Sequence, residues 1–246
     1  MNQYIKTLLY ILTRCNVLKT IYINFKKLPL KIALHLPIWV YGKTQFRSLT
    51  GKIEISGKIR SGMIKIGRND IYVTTSIPRT ILTLDGVIRF HDYFTFTNGG
   101  YLLVSHNGVL DIGNGFIGSN YKIMCFNRIK IGDNSRLTWN LQIYDTSFHY
   151  VEQQDSTHPL TSPIFIGNNV WIGNNSTISK GAKIPDKSIV TSHSLVNKDF
   201  TNTGLNGIML AGVPATIKKQ DCYRVFDEKL EAYYDKQFGY DRSTHL

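Results

Sequence analysis

The residues of this 246-residue chain that could do chemistry at neutral pH are its seven histidines and three cysteines. Cys15, Cys125 and Cys222 are odd in number and widely spaced, which excludes a disulfide framework and fits no zinc-ligand spacing. They read as reduced thiols of a cytosolic protein. The histidines (His35, His91, His106, His149, His158, His193 and His245) show no grouping of three on one ion, so no metal is expected. Two of them, His149 and His158, stand in one stretch, QIYDTSFHYVEQQDSTHP. An imidazole, with a reference pKa of ~6.5, can take a proton near neutral pH and return it, which is the work of a general base. A loop histidine serves equally well as a plain surface residue, and residue type alone does not decide. Asp145, shortly before His149, could orient its ring or make a local turn.

What must position them is a repeat. An aliphatic residue returns every six positions at Ile166, Ile172, Ile178, Ile184, Val190 and Val196. The same step gives Ile131, Leu137 and Ile143 and, before a two-residue slip, Ile117, Ile123 and Ile129. Neither a helical period nor strict alternation explains it. The step predicts an all-β solenoid, a parallel β-helix in which each hexad is a short strand with its aliphatic pointing inward. Three hexads, about eighteen residues, close one triangular coil, and coils stack ~4.8 Å apart. Gly-Asn-Asn at 167–169 and 173–175, Gly181, Pro185-Asp186 and Gly132-Asp133-Asn134 supply the turns. Over 51–118 insertions blur the step, although Ile53/Ile59 and Val104/Leu110/Phe116 keep it and Asp85-Gly86 and Asn107-Gly108 read as turns.

Open ends of such a stack need caps. The expected organisation is a basic helical cap over 1–50, early coils over 51–143, a protruding loop over 144–163 and regular coils over 164–202. A C-terminal segment and helix over 203–246 would cover the other end or lie along the side. The apolar N-terminal stretch is broken by Thr13 and Arg14 and lacks a small-residue cleavage site, and residues 32–41 fall short of the ~20 a spanning helix needs.

With 29 Lys/Arg against 17 Asp/Glu the net charge is +12, while 42% hydrophobic and 19% charged residues exclude wholesale disorder. The charge is uneven: residues 1–53 hold nine Lys/Arg and no acid. Three readings stay open: a solvated face of the cap, an interfacial role at an anionic membrane surface, and nucleic-acid binding. The last lacks any motif or stacking platform, so no nucleic-acid partner is expected. The expected location is cytoplasmic, with a peripheral place at the inner membrane face left open.

WIGNNSTISKGAKIPDKSIV followed by LAGVPATIKK resembles the hexapeptide-repeat acyltransferases, in particular their maltose, galactoside and polysaccharide O-acetyltransferase branch. The resemblance, absent at both termini, implies a left-handed parallel β-helix between the helical caps, acetyl-CoA as co-substrate, and a homotrimer with sites between neighbouring subunits. It implies a loop histidine as general base on the acceptor hydroxyl, and His149, six residues after Ile143, stands at that place. His158 competes, because it precedes Pro159 and a His-Pro pair accompanies the base in the sugar acetyltransferases. By position the resemblance carries over Asn120 as a group that positions the reactants and the Asn174 backbone N–H as an oxyanion donor. Ser192 would meet the pantetheine arm, Asn197 and Lys198 the distal part of CoA, and Lys219 its phosphates. Trp171 reads as packing or as a substrate contact. The implied function is transfer of an acetyl group to a hydroxyl of a sugar or polysaccharide precursor. The alternatives are N-acetylation of an amino sugar nucleotide and a non-catalytic scaffold; a β-helix carbonic anhydrase would need three histidines on one metal.

Overall fold

In the computed structural model, which describes residues 15–69, 78–153 and 156–240, the hexad aliphatics point inward and stack in columns. In one column Leu102, Ile123, Ile143, Ile178 and Val196 pair in succession, all buried. A second runs through Phe96, Ile117, Leu137, Ile172, Val190 and Leu210. A third runs through Phe90, Ile112, Ile131, Ile166 and Ile184. Like side chains stacked on like shapes leave few gaps, and each coil buries the face its neighbour could not bury alone.

Three sheets result, and the chain visits them in turn. The first face has nine strands from Ile38–Val40 to Ala215–Lys219, the second seven from Thr44–Leu49 to Leu195–Val196, and the third six from Lys52–Ile55 to Lys183–Ile184. The two-residue slip has a structural cause: Ile129 and Ile131 share the strand Arg128–Ile131, and both are buried. The third face thus takes two inward residues in that coil, so Leu137 follows Ile117 by 20 positions, whereas Val190 follows Ile172 by 18.

Turn chemistry sets the edges. Three residues after the inward aliphatic of the first face, Gly99, Asn120, Asn140, Asn175 and His193 all have φ between 58° and 74°. Glycine and asparagine tolerate that left-handed conformation best. Between the third and first faces Asn134, Asn169 and Lys187 repeat the rule. Neighbouring turns are stitched together, Asn140 Nδ2 donating to Asn175 Oδ1 at 3.0 Å and Asn134 Nδ2 to Asn169 Oδ1 at 2.8 Å.

Three expectations are corrected. The solenoid begins at Ile38 rather than at residue 51, because Val40 already stacks on Ile66. Phe116 points outward and Ile117 is the inward residue; on a strand, adjacent side chains face opposite sides. Ile59 lies outside any strand.

The N-terminal end is capped by helix α1 (Val17–Lys27), followed by the short α2 (Leu30–Ala33). The Asn24 carboxamide accepts from Ile38 N at 3.1 Å and donates to Ile38 O at 2.7 Å, and Thr20 Oγ1 accepts from Val40 N at 3.0 Å. The helix thereby occupies backbone groups of an edge strand that would otherwise be open to pairing. At the far end Ala215–Lys219 runs antiparallel beside Met209–Gly212 and closes the first face. The chain then runs along that face, with Phe226 against the guanidiniums of Arg136 (5.6 Å) and Arg224 (4.9 Å). Helix α3 (Glu228–Phe238), capped by Asp227 and Gly239, has no buried residue.

The outer surfaces of the faces differ. The third carries cross-strand charges, with Arg89 on Glu54 at 2.6 Å and Arg128 on Asp111 at 2.9 Å. The second carries a half-buried, uncharged column of Leu103, Met124 and Tyr144.

Candidate active site

The regular coil breaks at the edge between the second and third faces. After Tyr144 the chain leaves the solenoid and rejoins it at Ile164. The base of this excursion is closed by Ser162 N donating to Asp145 O and Ser147 N to Leu160 O, both at 2.9 Å. Lys180, from the next coil, clamps it by donating to Pro159 O at 2.6 Å and Ser147 Oγ at 3.1 Å. Beyond the base a short antiparallel ribbon, Glu152–Gln153 with Ser156–Thr157, extends outward.

His149 is presented by its neighbours. Phe148 has φ of 62°, and its ring packs beside Phe126 (5.6 Å) and Tyr144 (6.4 Å). The ring anchors the turn on the solenoid and leaves the next residue, His149, exposed. Ser147 Oγ donates to the His149 carbonyl at 3.0 Å. His158 is also exposed, on the opposite arm, its N–H donating to Val151 O. Beside the excursion lies an open cleft of about 520 Å³, which Tyr150, the residue after His149, helps to line. The solenoid lines it with Ser105, Asn107, Phe126 and Asn127, and the excursion with Tyr150, Pro159, Leu160 and Thr161.

Asp145 does not orient the ring. It sits two residues after inward-facing Ile143 and therefore also points inward, where it is fully buried. Its carboxylate oxygens accept from Phe126 N and Asn127 N, both at 2.8 Å, fixing the turn beneath Phe148. Burial pushes its pKa above the ordinary carboxylate value, against the pull of these backbone bonds. Burial also raises the thiol pKa of Cys125.

The other expected residues separate into groups. Asn174 and Ser192 are stacked on the edge between the first and second faces, Ser192 Oγ donating to Asn174 Oδ1 at 2.6 Å. Among the described residues no hydrogen bond occupies the backbone N–H of either, so both donors are open to a ligand. Asn120 lies on the same edge, exposed and in the left-handed turn position. Asn197 and Lys198 lie on the edge of His149, two coils on, with Lys198 Nζ 5.3 Å from the Phe200 ring centre. Lys219 is set apart: it pairs with Met209 at the end of its strand farthest from the Gly212–Pro214 turn. Trp171 faces outward on the first face between Arg136 and Ile189, 38% exposed. Among the described residues no three His, Cys, Asp or Glu side chains gather as metal ligands would.

The candidate residues therefore fall into two groups on the edges that flank the second face. From Asn174 to Lys180 the chain crosses that face, about 20 Å at ~3.3 Å per residue, far beyond hydrogen-bond reach. Sequence reasoning missed Trp139, exposed between Asn120 and Asn174, and the clamp Lys180. Trp139 had a signal: it follows Leu137 by two positions, as Asn174 follows Ile172 and Ser192 follows Val190.

No protein-family profile matches the chain. It is 30% identical over 143 residues to the galactoside O-acetyltransferase of Escherichia coli (strain K12), covering 57% of this chain and 66% of that enzyme. It is 34% identical over 106 residues to an uncharacterized 24.8 kDa protein in the cps region of Klebsiella pneumoniae, covering 43% of this chain and 46% of the relative. The chain thus spans just under two thirds of the first relative and under half of the second. Its fold is similar to that of the polySia-specific acetyltransferase NeuO, with a TM-score of 0.57 and 18% identity over 80% of this chain and 83% of that one. The solenoid is accordingly a left-handed parallel β-helix, interrupted by a histidine-bearing excursion. By its hexads, its fold and these relatives, the chain is similar to the hexapeptide-repeat acyltransferases.

Proposed function

We propose that this protein is an acetyl-CoA-dependent O-acetyltransferase that modifies a hydroxyl of a sugar or polysaccharide precursor. The observation that carries the reading is the excursion over 145–163, which exposes His149 and lines a cleft with the next residue, Tyr150. Ser105, Asn107, Asn127 and Thr161 offer hydrogen-bond partners for hydroxyls there, and Phe126 and Tyr150 offer apolar faces. The sugar acetyltransferase among its relatives supports the same class of acceptor.

In this mechanism His149 removes the proton of the acceptor hydroxyl as its oxygen attacks the thioester carbonyl. The open N–H of Asn174 donates to the developing oxyanion, which needs no particular side chain. When the C–S bond breaks, the imidazolium returns its proton to the departing thiolate, leaving an acetyl ester and free CoA. Ser192 holds the pantetheine arm, Asn197 and Lys198 the distal part of CoA, and Lys219 its phosphates. Asn120 and Trp171 serve the acceptor side.

Because the two groups of candidate residues flank the second face, the reading needs a second copy. In the proposed homotrimer the uncharged column of Leu103, Met124 and Tyr144 faces the three-fold axis, and the charged third face stays in water. The Asn174 edge of one subunit then meets the His149 edge of the next, giving three equal sites. The enzyme works at the cytoplasmic side of a membrane whose lipids carry the acceptor.

Calorimetry with acetyl-CoA, paired with a screen of sugar acceptors, tests the reading. Absence of binding at millimolar acetyl-CoA would overturn it. Shared sites are tested by co-expressing His149→Ala chains with Gly173→Val chains, since a Cβ at Gly173 would come 2.5 Å from Ser192 N. Random mixing restores one intact site in each mixed trimer, about a quarter of wild-type activity. No restoration would place the whole site in one chain.

A further inference from the structure

Helix α1 has an inverted distribution of polarity. Its inner face is clamped to the edge strand by Thr20 and Asn24, with Ile23 buried between them. Its outer face carries Leu18, Ile21, Tyr22 and Phe25, an i, i+3, i+4, i+7 stripe that the described residues leave exposed apart from the flank of Tyr22 stacked on Phe46 at 6.3 Å. Leu18 is 81% exposed, and Leu30 and Leu34 of the adjoining turn are 64% and 66% exposed. The clamp prevents the helix from rolling this stripe inward.

The surroundings of the stripe choose its occupant. Lys26 and Lys31 are exposed beside it, and residues 1–53 contain no acid to neutralise them. A second copy docking face to face would bring these cations together, a like-charge contact that opposes association. An anionic lipid surface satisfies both features, taking the apolar side chains at the boundary of headgroups and acyl chains and the lysines among the phosphates. No helix among the described residues is long and apolar enough to cross a membrane.

We infer that the outer face of α1, with Leu30 and Leu34, is an interfacial docking surface for anionic lipid bilayers. It gives the proposed membrane location a physical basis and rests on that reading for location alone. Docking by insertion, rather than by charge alone, is its distinctive content.

The full chain is sedimented with vesicles of phosphatidylcholine containing about 30% phosphatidylglycerol, at about 0.05 M and about 0.5 M salt. Wild type is expected to pellet at low salt and to retain part of its binding at high salt. The double variant Leu18→Ser/Phe25→Ser should lose at least about tenfold in partitioning at both salts. Lys26→Glu/Lys31→Glu should lose binding chiefly at low salt. Both variants change exposed side chains, so thermal melting and acetyl transfer to a soluble acceptor should match wild type; failure of transfer in all forms would count against the enzymatic reading and not against docking. Wild type that does not pellet, or a serine variant that pellets like wild type, overturns the inference. So does a serine variant whose oligomeric state changes without vesicles, because the stripe would then be a contact between copies.

Discussion

Replacing Asp145 by alanine separates two roles that its position next to the histidine loop suggests. The carboxylate is fully buried and takes two backbone N–H groups at 2.8 Å. Leaving each amide unsatisfied costs about 1–3 kcal/mol, partly offset because the buried charge is itself unfavourable. A net loss of about 2–4 kcal/mol follows, lowering Tm by roughly 4–16 °C for a chain of this size. The pH dependence has a definite sign. Burial raises the folded-state pKa above the unfolded one, so the folded chain binds more protons in the window above the ordinary carboxylate value of ~3.9. The contribution of Asp145 is therefore full below that value and declines as pH rises through the folded pKa. The stability gap between wild type and Asp145→Ala should narrow with rising pH over that window, as measured by melts across pH. Below its melting temperature the variant should keep the pH–rate profile of wild type and lose at most about tenfold in kcat through a less ordered excursion. A variant that melts like wild type yet loses ~10⁴ in kcat would refute the reasoning, since that is the signature of a carboxylate orienting the imidazole.

His149→Ala should lower kcat by ~10²–10⁴ while leaving acetyl-CoA affinity near wild type by calorimetry, and His158→Ala should stay within about tenfold in steady-state assays. Asn174→Ala removes the bond from Ser192 but keeps the backbone donor, so kcat should also stay within about tenfold; a larger loss would assign chemistry to the side chain. Gly100→Ala would set a Cβ 1.9 Å from Cζ of the buried Tyr121 ring, and denaturant melts should show a loss of about 3 kcal/mol or more. Ile143→Ala opens a hole between Ile123 and Ile178 and should cost about 2–5 kcal/mol in the same assay.

The sequence by itself determined the solenoid, because a six-residue step is a local property: strand geometry turns the same aliphatic inward in every coil, whatever lies above it. The run from Ile166 to Val196 therefore maps onto the columns residue by residue. The break after Ile143 marked the excursion for the same reason. Where insertions shift the phase, local reading lost the register, as at Phe116 and at the start of the solenoid. The edge on which a residue stands depends on every insertion before it, so only stacking of the whole chain set Lys219 apart from Asn174 and Ser192. Asp145 followed the tertiary structure too: its place in the loop suggested a partner for the His149 ring or a local turn, but continuing the alternation from Ile143 turns it into the core. The same holds for α1, whose charge was legible in the sequence. Which face it buries was decided by the edge strand, whose polar groups needed Thr20 and Asn24 more than its apolar stripe.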